Sequence, residues 1–462
     1  MQTSPDPGLR RQIGLLTAAA VVVGEVVGVG IFLTPAAMAK TLGSPLLLLS
    51  VWLVSGLMAL TGALCYGELA ARLPAAGGGY VYLREAYGRP VAFLYGWMAF
   101  LVMDPGITAA LAVGMAGYVG FMVPLSPTGL KALAVATILV MAAVNVAGVR
   151  AVGGLLRWLT AVKLGLLLFV VAWGFASGAG DWSNFTPFVA QRAGSAPLAA
   201  ALAGAFVGAF FSFGGWWDLS KLSGEVRDPE RTLPRALALG VLVVTAVYVL
   251  VSAVFVYLVP MGEVTSGETF AAQAGAAMFG AAGGRVFSCA VVVAVLGSLA
   301  GLTMAAPGVY YAMARDRLFF RAAARVHPRT GTPAAAIALQ AALASLLVAL
   351  GTFERIIAYF VFSVVVFLAL TVAAVYRLRR RQTAPPAFST PGYPLTPFFF
   401  LLLVAPLLVL LLGDKPREAL LGAGVVALGL PVYFVLFRGK RYPEATHGGE
   451  IRDDLDQDRP AV

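Results

Sequence analysis

Two cysteines and two histidines are all that this chain of 462 residues contains of either type. Cys65 and Cys289 each fall inside an apolar run, so the sequence offers neither a disulfide framework nor a cysteine-based metal centre. His327 and His447 lie in polar segments, which argues against a histidine proton relay at membrane depth. Charge is scarce too, at 12% Asp, Glu, Lys and Arg, about half of what a soluble domain carries. No phosphate-binding Gly-rich loop ending in Lys-Ser or Lys-Thr occurs, and no His-Glu-x-x-His. A nucleotide-driven pump and an intramembrane metalloprotease therefore lack support, and no enzymatic chemistry, cofactor or metal is expected.

What the chain has instead is apolar length. Hydrophobic residues make up 60% and the mean hydropathy is +0.87, which describes an all-α polytopic membrane protein. The apolar pattern predicts twelve transmembrane spans: 13–39, 45–72, 90–122, 129–149, 152–177, 197–222, 233–259, 285–314, 333–350, 353–377, 397–412 and 417–437. No small-residue cleavage site follows the first run, so span 1 is expected to be retained rather than removed as a signal peptide. The connection 260–284, with Glu263 and Glu268, is long enough to form a lid. Of the 33 basic residues, 25 fall on the side of the N-terminus and 7 on the other. Residues 1–12 and 438–462 are then cytoplasmic, in a multi-pass protein of the cell membrane. The net charge of +11 is spread through short connections and sets topology, so no nucleic-acid partner is expected and membrane lipid is the surroundings. The one basic residue left over is Lys163, inside span 5.

Two glycine-interrupted stretches organise the rest. Span 1 contains Gly24-Glu25-Val26-Val27-Gly28-Val29-Gly30-Ile31-Phe32, and span 6 contains Phe211-Ser212-Phe213-Gly214-Gly215-Trp216-Trp217-Asp218. Glycine costs roughly 1 kcal/mol against alanine in a helix, so both helices are expected to break here. A break at membrane depth is tolerated only where protein or a wet cavity satisfies the freed backbone. Close helix packing is the competing account of such glycines. Paired breaks in two halves of a chain point to a transporter's midplane site.

The motifs Val29-Gly30-Ile31-Phe32, Tyr66-Gly67-Glu68-Leu69-Ala70 with Pro74 to Tyr80, Phe213-Gly214-Gly215-Trp216, and Glu225 through Pro229 to Leu233-Pro234-Arg235 resemble the amino acid-polyamine-organocation superfamily. Over about residues 10 to 440 the pattern is most similar to the L-type amino acid transporters and their bacterial relatives. The resemblance implies a five-plus-five inverted repeat, spans 1–5 (13–177) against spans 6–10 (197–377), with broken helices 1 and 6 and spans 11–12 (397–437) peripheral. It implies an amino acid substrate, its α-carboxylate on the amides around Gly28, Val29, Gly30 and Ile31 and its ammonium on carbonyls near Val27 and Phe211. The physics of the break agrees: the half-helix starting near Ile31 presents amides and a positive dipole end, while carbonyls near Val26 and Val27 suit an ammonium. Phe211, Phe213, Gly214 and Trp216 are expected around the side-chain pocket, with Phe211 as the gate; packing is the competing role for such aromatics. Asp218 is read as a cap for the second half of span 6, and Trp217 as a weaker pocket candidate. Residues 123–128 contain no cysteine, so the disulfide to a heavy-chain partner found in animal members is not expected.

Lys163 lies about eleven residues into span 5, roughly 16 Å deep. An ammonium there costs about 2.5 to 3.5 kcal/mol on insertion scales, which makes it a functional residue unless it snorkels to the interface. The resemblance places a lysine of the pattern Leu159-Thr160-Ala161-Val162-Lys163 where relatives hold sodium, bridging spans 1 and 8, with Ser298 as partner. Glu25 and Asp104 are further coupling candidates: each either meets substrate, pairs with Lys163 or borders water. Glu68, Arg84, Glu225, Arg227, Asp228 and Arg315 read as solvated charges near the cytoplasmic surface. The expected function is alternating-access transport of amino acids without sodium, by exchange or with protons. A membrane sensor that binds an amino acid without moving it is the alternative, lowered by the lack of a signalling domain after Phe437.

Overall fold

The computed structural model describes residues 9–28, 30–264, 267–350, 353–381, 385–414 and 416–437. Among these the secondary structure is helical, with no strand and one isolated bridge between Ile13 and Val226. Ten helices are long and apolar enough to cross a membrane, eleven if the bent pair Leu15–Val26 and Gly30–Leu42 counts as one span; Ala334–Leu350 is a shorter apolar helix. Each predicted span overlaps one of these helices, the span 333–350 falling on the shorter one, while Val29, residues 1–8, residue 415 and residues 438–462 lie outside the described residues. The connection expected as a lid contains the helix Gly267–Phe279, packed against Gly30–Leu42 and Gly283–Ala305.

Local sequence explains where helices start. Pro45 opens span 2 behind Ser44, whose hydroxyl accepts from the Leu47 amide, and Pro127 opens span 4 behind Ser126 in the same way. Span 1 bends by 48° at its break. Span 6 runs helically over Leu198–Ser212, turns at Gly215 with φ +105°, and continues as a 3-10 helix over Trp216–Glu225. Only glycine takes that left-handed turn without strain. Span 3 is interrupted by a π-helical turn, Ala99–Met103, between Arg89–Met98 and Asp104–Met122. Span 8 is divided into Gly283–Ala305 and Pro307–Arg315, where proline cannot continue the helical hydrogen bonding.

Burial orders these helices into layers. Span 8 has 72% of its apolar window buried, whereas span 4 has 28% and Leu395–Gly413 of span 11 has 22%, which places span 8 at the centre and spans 4 and 11 outside. Leu15–Val26 packs against spans 5, 7 and 8 and against Trp216–Glu225, while Gly30–Leu42 packs against Leu198–Ser212. The two broken spans thus cross at the core. Gly30 is required at that crossing, since a Cβ there would fall 2.8 Å from the Ser212 Cα.

Candidate functional site

Where the breaks meet, a cavity of about 430 Å³ opens. Gly28 and Gly30 of span 1 line it with Phe210, Phe211, Ser212, Gly214, Gly215 and Trp217 of span 6; Ile107 and Leu111 of span 3, Ser298 and Leu302 of span 8 and Val361 and Val364 of span 10 complete the wall. Phe211 is 45% exposed, free of dense packing. Several expected residues face elsewhere. Phe213 is buried against Trp52 and Tyr248, and Trp216 against Tyr66, so neither reaches the cavity; Trp217 does, as does Phe210 stacked on it. Ile31 is fully buried, and Val29 lies outside the described residues. The physical reason is the backbone of span 6: the left-handed turn at Gly215, φ +105°, redirects the chain just before the tryptophans, so a helical periodicity carried through the glycines from Phe211 does not give their faces.

The free carbonyls of the first break are already occupied. The Lys163 ammonium donates to the carbonyls of Gly24 at 2.7 Å and Val27 at 2.8 Å on span 1, and of Ala294 at 3.0 Å on span 8. Ser298 donates to the Gly24 carbonyl at 2.9 Å, with that of Val27 at 3.4 Å. Val27 therefore meets the lysine ammonium instead of opening onto the cavity, which corrects its expected place beside a substrate ammonium. Lys163 is 1% exposed, so snorkelling is ruled out, and Gly297 makes room for it: a Cβ there would lie 2.8 Å from Lys163 Nζ. Three carbonyl acceptors use all three donors of the ammonium, the arrangement that makes a buried lysine tolerable. The Tyr248 hydroxyl of span 7 sits 2.8 Å from both the Val26 carbonyl and the Ser212 carbonyl, one from each break.

The cavity base carries charge that the sequence reading did not assemble. Lys221 is 1% exposed, and its ammonium lies 2.9 Å from Asp104 Oδ1 and 2.8 Å from Asp218 Oδ1. Tyr310 donates to the other Asp104 oxygen at 3.0 Å. Asp104 thus pairs with Lys221, not with Lys163, and Asp218 is an ion-pair partner rather than a helix cap, the cap position being Gly215 without a side-chain bond. In the count of basic residues by side, Lys221 falls with the 25 on the cytoplasmic side. The signal available was its place inside span 6, three residues after Asp218, the spacing that sets two side chains on one helical face. Glu25 lines the cavity next to Asp218, 8% exposed, in a slot between Gly215 and Gly301.

At the end of the bundle where basic residues cluster, the expectation of solvated charge fails for two positions. Glu68 is fully buried and accepts from Arg72 at 2.9 Å, Arg379 at 2.6 Å and the Thr390 amide at 2.8 Å. Glu225 is buried, and its carbonyl receives the amides of Gln12 and Ile13. Charge-assisted bonds from Arg72 and Arg379 make the burial of Glu68 stable where solvation is lost. Arg84 reaches Asp316 at 2.5 Å and Glu85 at 2.9 Å, and Tyr80 donates to Asp316 at 2.7 Å. Arg227 and Asp228 are exposed, as expected.

Comparison with known proteins follows the geometry. A family profile described as amino acid permease matches residues 13–437. The serine/threonine exchanger SteT of Bacillus subtilis is 32% identical over 448 residues, covering 94% of this chain and 99% of that protein. The large neutral amino acids transporter small subunit 2 of Homo sapiens is 30% identical, covering 94% and 83%, and the Asc-type amino acid transporter 1 of Mus musculus is 27% identical, covering 95% and 83%. With the family profile running from the start of span 1 to the end of span 12 on a multi-pass helical bundle, this chain belongs to the amino acid permease family of the amino acid-polyamine-organocation superfamily.

Proposed function

We propose that the chain is a secondary transporter that carries amino acids across the cell membrane by alternating access, without sodium, residues 1–12 and 438–462 being cytoplasmic. The observation that carries this reading is the Lys163 ammonium seated on carbonyls of span 1 and span 8 beside a cavity shared by both breaks. A second cation at those carbonyls would meet like-charge repulsion in a low-dielectric site. The relatives named above, exchangers and transporters of amino acids by name, support transport over sensing. In this reading the α-carboxylate takes the first-turn amides after the break, near Gly30, where helix geometry leaves donors without partners. The substrate ammonium takes the second lone pair of the Phe211 carbonyl, which already accepts the Gly214 amide, and Phe211 closes over the cavity.

The test is counterflow of a labelled amino acid in proteoliposomes, with sodium and pH gradients imposed separately. Uptake that follows the internal amino acid and ignores both gradients supports exchange. A sodium requirement would overturn the reading, and binding without counterflow would return the sensor alternative.

A further inference from the structure

Around the cavity the buried charges do not balance. Three carboxylates, Glu25, Asp104 and Asp218, stand against two ammonium groups, Lys163 and Lys221. Lys163 spends its three donors on carbonyls, and Lys221 is shared between Asp104 and Asp218. Glu25 is left over. It is more than nine-tenths buried and lines the cavity, and neither of its carboxylate oxygens has a hydrogen-bond partner among the described residues. The slot that holds it is narrow: a Cβ on Gly301 would stand 2.5 Å from Glu25 Cγ, and one on Gly215 would stand 3.1 Å from Glu25 Cβ. An ionised carboxylate in such a place is strongly unfavourable until a cation joins it.

We propose that Glu25, with Asp218 beside it, is the subsite for a second positive group on the substrate, so that the cavity selects amino acids carrying a cationic head on an aliphatic side chain. This rests on the amino acid transport reading above and names its substrate class. A zwitterion brings no net charge and leaves the excess negative charge in place; a substrate with one further ammonium or guanidinium cancels it. The remaining wall fits the stem. Ile107, Leu111, Val361 and Val364 are apolar, and a methylene chain buries itself on such a surface while its charged head reaches past it to a carboxylate. Glu25 lies one helical turn before the break at Gly28, which separates the side-chain head from the amides assigned to the α-carboxylate.

The experiment is equilibrium binding of labelled L-lysine and L-norleucine to the purified full chain in detergent at neutral pH. Norleucine has the same four-carbon stem without the ammonium, so the ratio of the two affinities isolates the subsite. Lysine is expected to bind about tenfold or more tighter than norleucine, tenfold being the affinity step of one modest ion pair. In Glu25→Gln the ratio falls toward one, and in Asp218→Asn it falls less. Equal affinities in the wild-type protein would mean that a proton neutralises Glu25 and would overturn the proposal. So would a lysine preference that survives in Glu25→Gln. If that variant fails to elute as a folded protein, the wild-type ratio and Asp218→Asn decide. Failure of every amino acid tested would overturn the transport reading itself, whereas norleucine binding without lysine preference overturns this one alone.

Discussion

The Lys221 ammonium lies 2.9 Å from a carboxylate oxygen of Asp104, a residue 117 positions earlier, and ties the second half of span 6 to span 3. The same ammonium holds Asp218, so one cation fixes two carboxylates in the apolar core. Removing it leaves both without a counter-ion. Lys221→Met is expected to lower stability by about 3 to 5 kcal/mol, the range for breaking a buried pair from one side. Thermal unfolding in detergent checks this, and Lys221→Met combined with Asp104→Asn should recover part of the loss. An unchanged unfolding temperature in the single variant would show that the pair carries no net stability.

Lys163→Ala is expected to abolish counterflow, because the carbonyls of Gly24, Val27 and Ala294 lose their shared donor and span 1 is released from span 8. Sodium added to this variant is the informative condition. Partial recovery with sodium, and not with a larger cation such as choline, would mean that the vacated carbonyls take a metal cation; full activity without any addition would dismiss the lysine from the transport cycle.

Gly30→Ala should suffice to impair transport, since its Cβ would come within 2.9 Å of three Ser212 atoms, one of them backbone. Overpacking of this kind costs roughly 1 to 3 kcal/mol and drives the two broken spans apart. Gly30→Leu should abolish binding. Equilibrium binding and counterflow measured side by side on inserted protein make the check, and wild-type behaviour of the alanine variant would show that the crossing yields.

Phe211→Ala separates gating from packing. The side chain is 45% exposed at the cavity, so its loss should change the unfolding temperature little, unlike the several kcal/mol (about 3 to 5) of a truncated core phenylalanine. Counterflow should nevertheless fall. A large loss of stability with unchanged transport would make Phe211 a packing residue.

Asp316 gathers Tyr80 and Arg84 at 2.7 and 2.5 Å, joining the helix Gly79–Tyr87 to the end of span 8. Asp316→Asn weakens charge-assisted bonds worth about 1.5 to 3 kcal/mol and should speed proteolysis at that end of the bundle. Limited proteolysis, with and without an amino acid in the cavity, reads it out.

The breaks in spans 1 and 6 could be read from the sequence because the glycine interruption recurs in both halves of the chain, and Lys163 because it lies many residues from either end of its span. Lys221 resisted for the opposite reason. It stands near the end of span 6, where a basic residue is ordinary, and its partner Asp104 is brought to it only by tertiary packing. The choice between Trp216 and Trp217 turns on the left-handed φ of +105° at Gly215, which redirects the residues after it and which no helical periodicity carried through the glycines anticipates. Glu68 looked solvated because its partner Arg379 is 311 residues away.

The π-helical turn at Ala99–Met103 ends one residue before Asp104. Such a turn is in effect one residue added to a helix without lengthening its neighbours' contacts, and one residue is about 100° of rotation. The carboxylate therefore owes its bearing to the length of that turn as much as to its own identity. Deleting a single residue within 99–103 would swing Asp104 about 100° around the axis relative to Arg89–Met98, and the helix would have to choose between its packing there and its bond to Lys221, although no charged side chain had been altered.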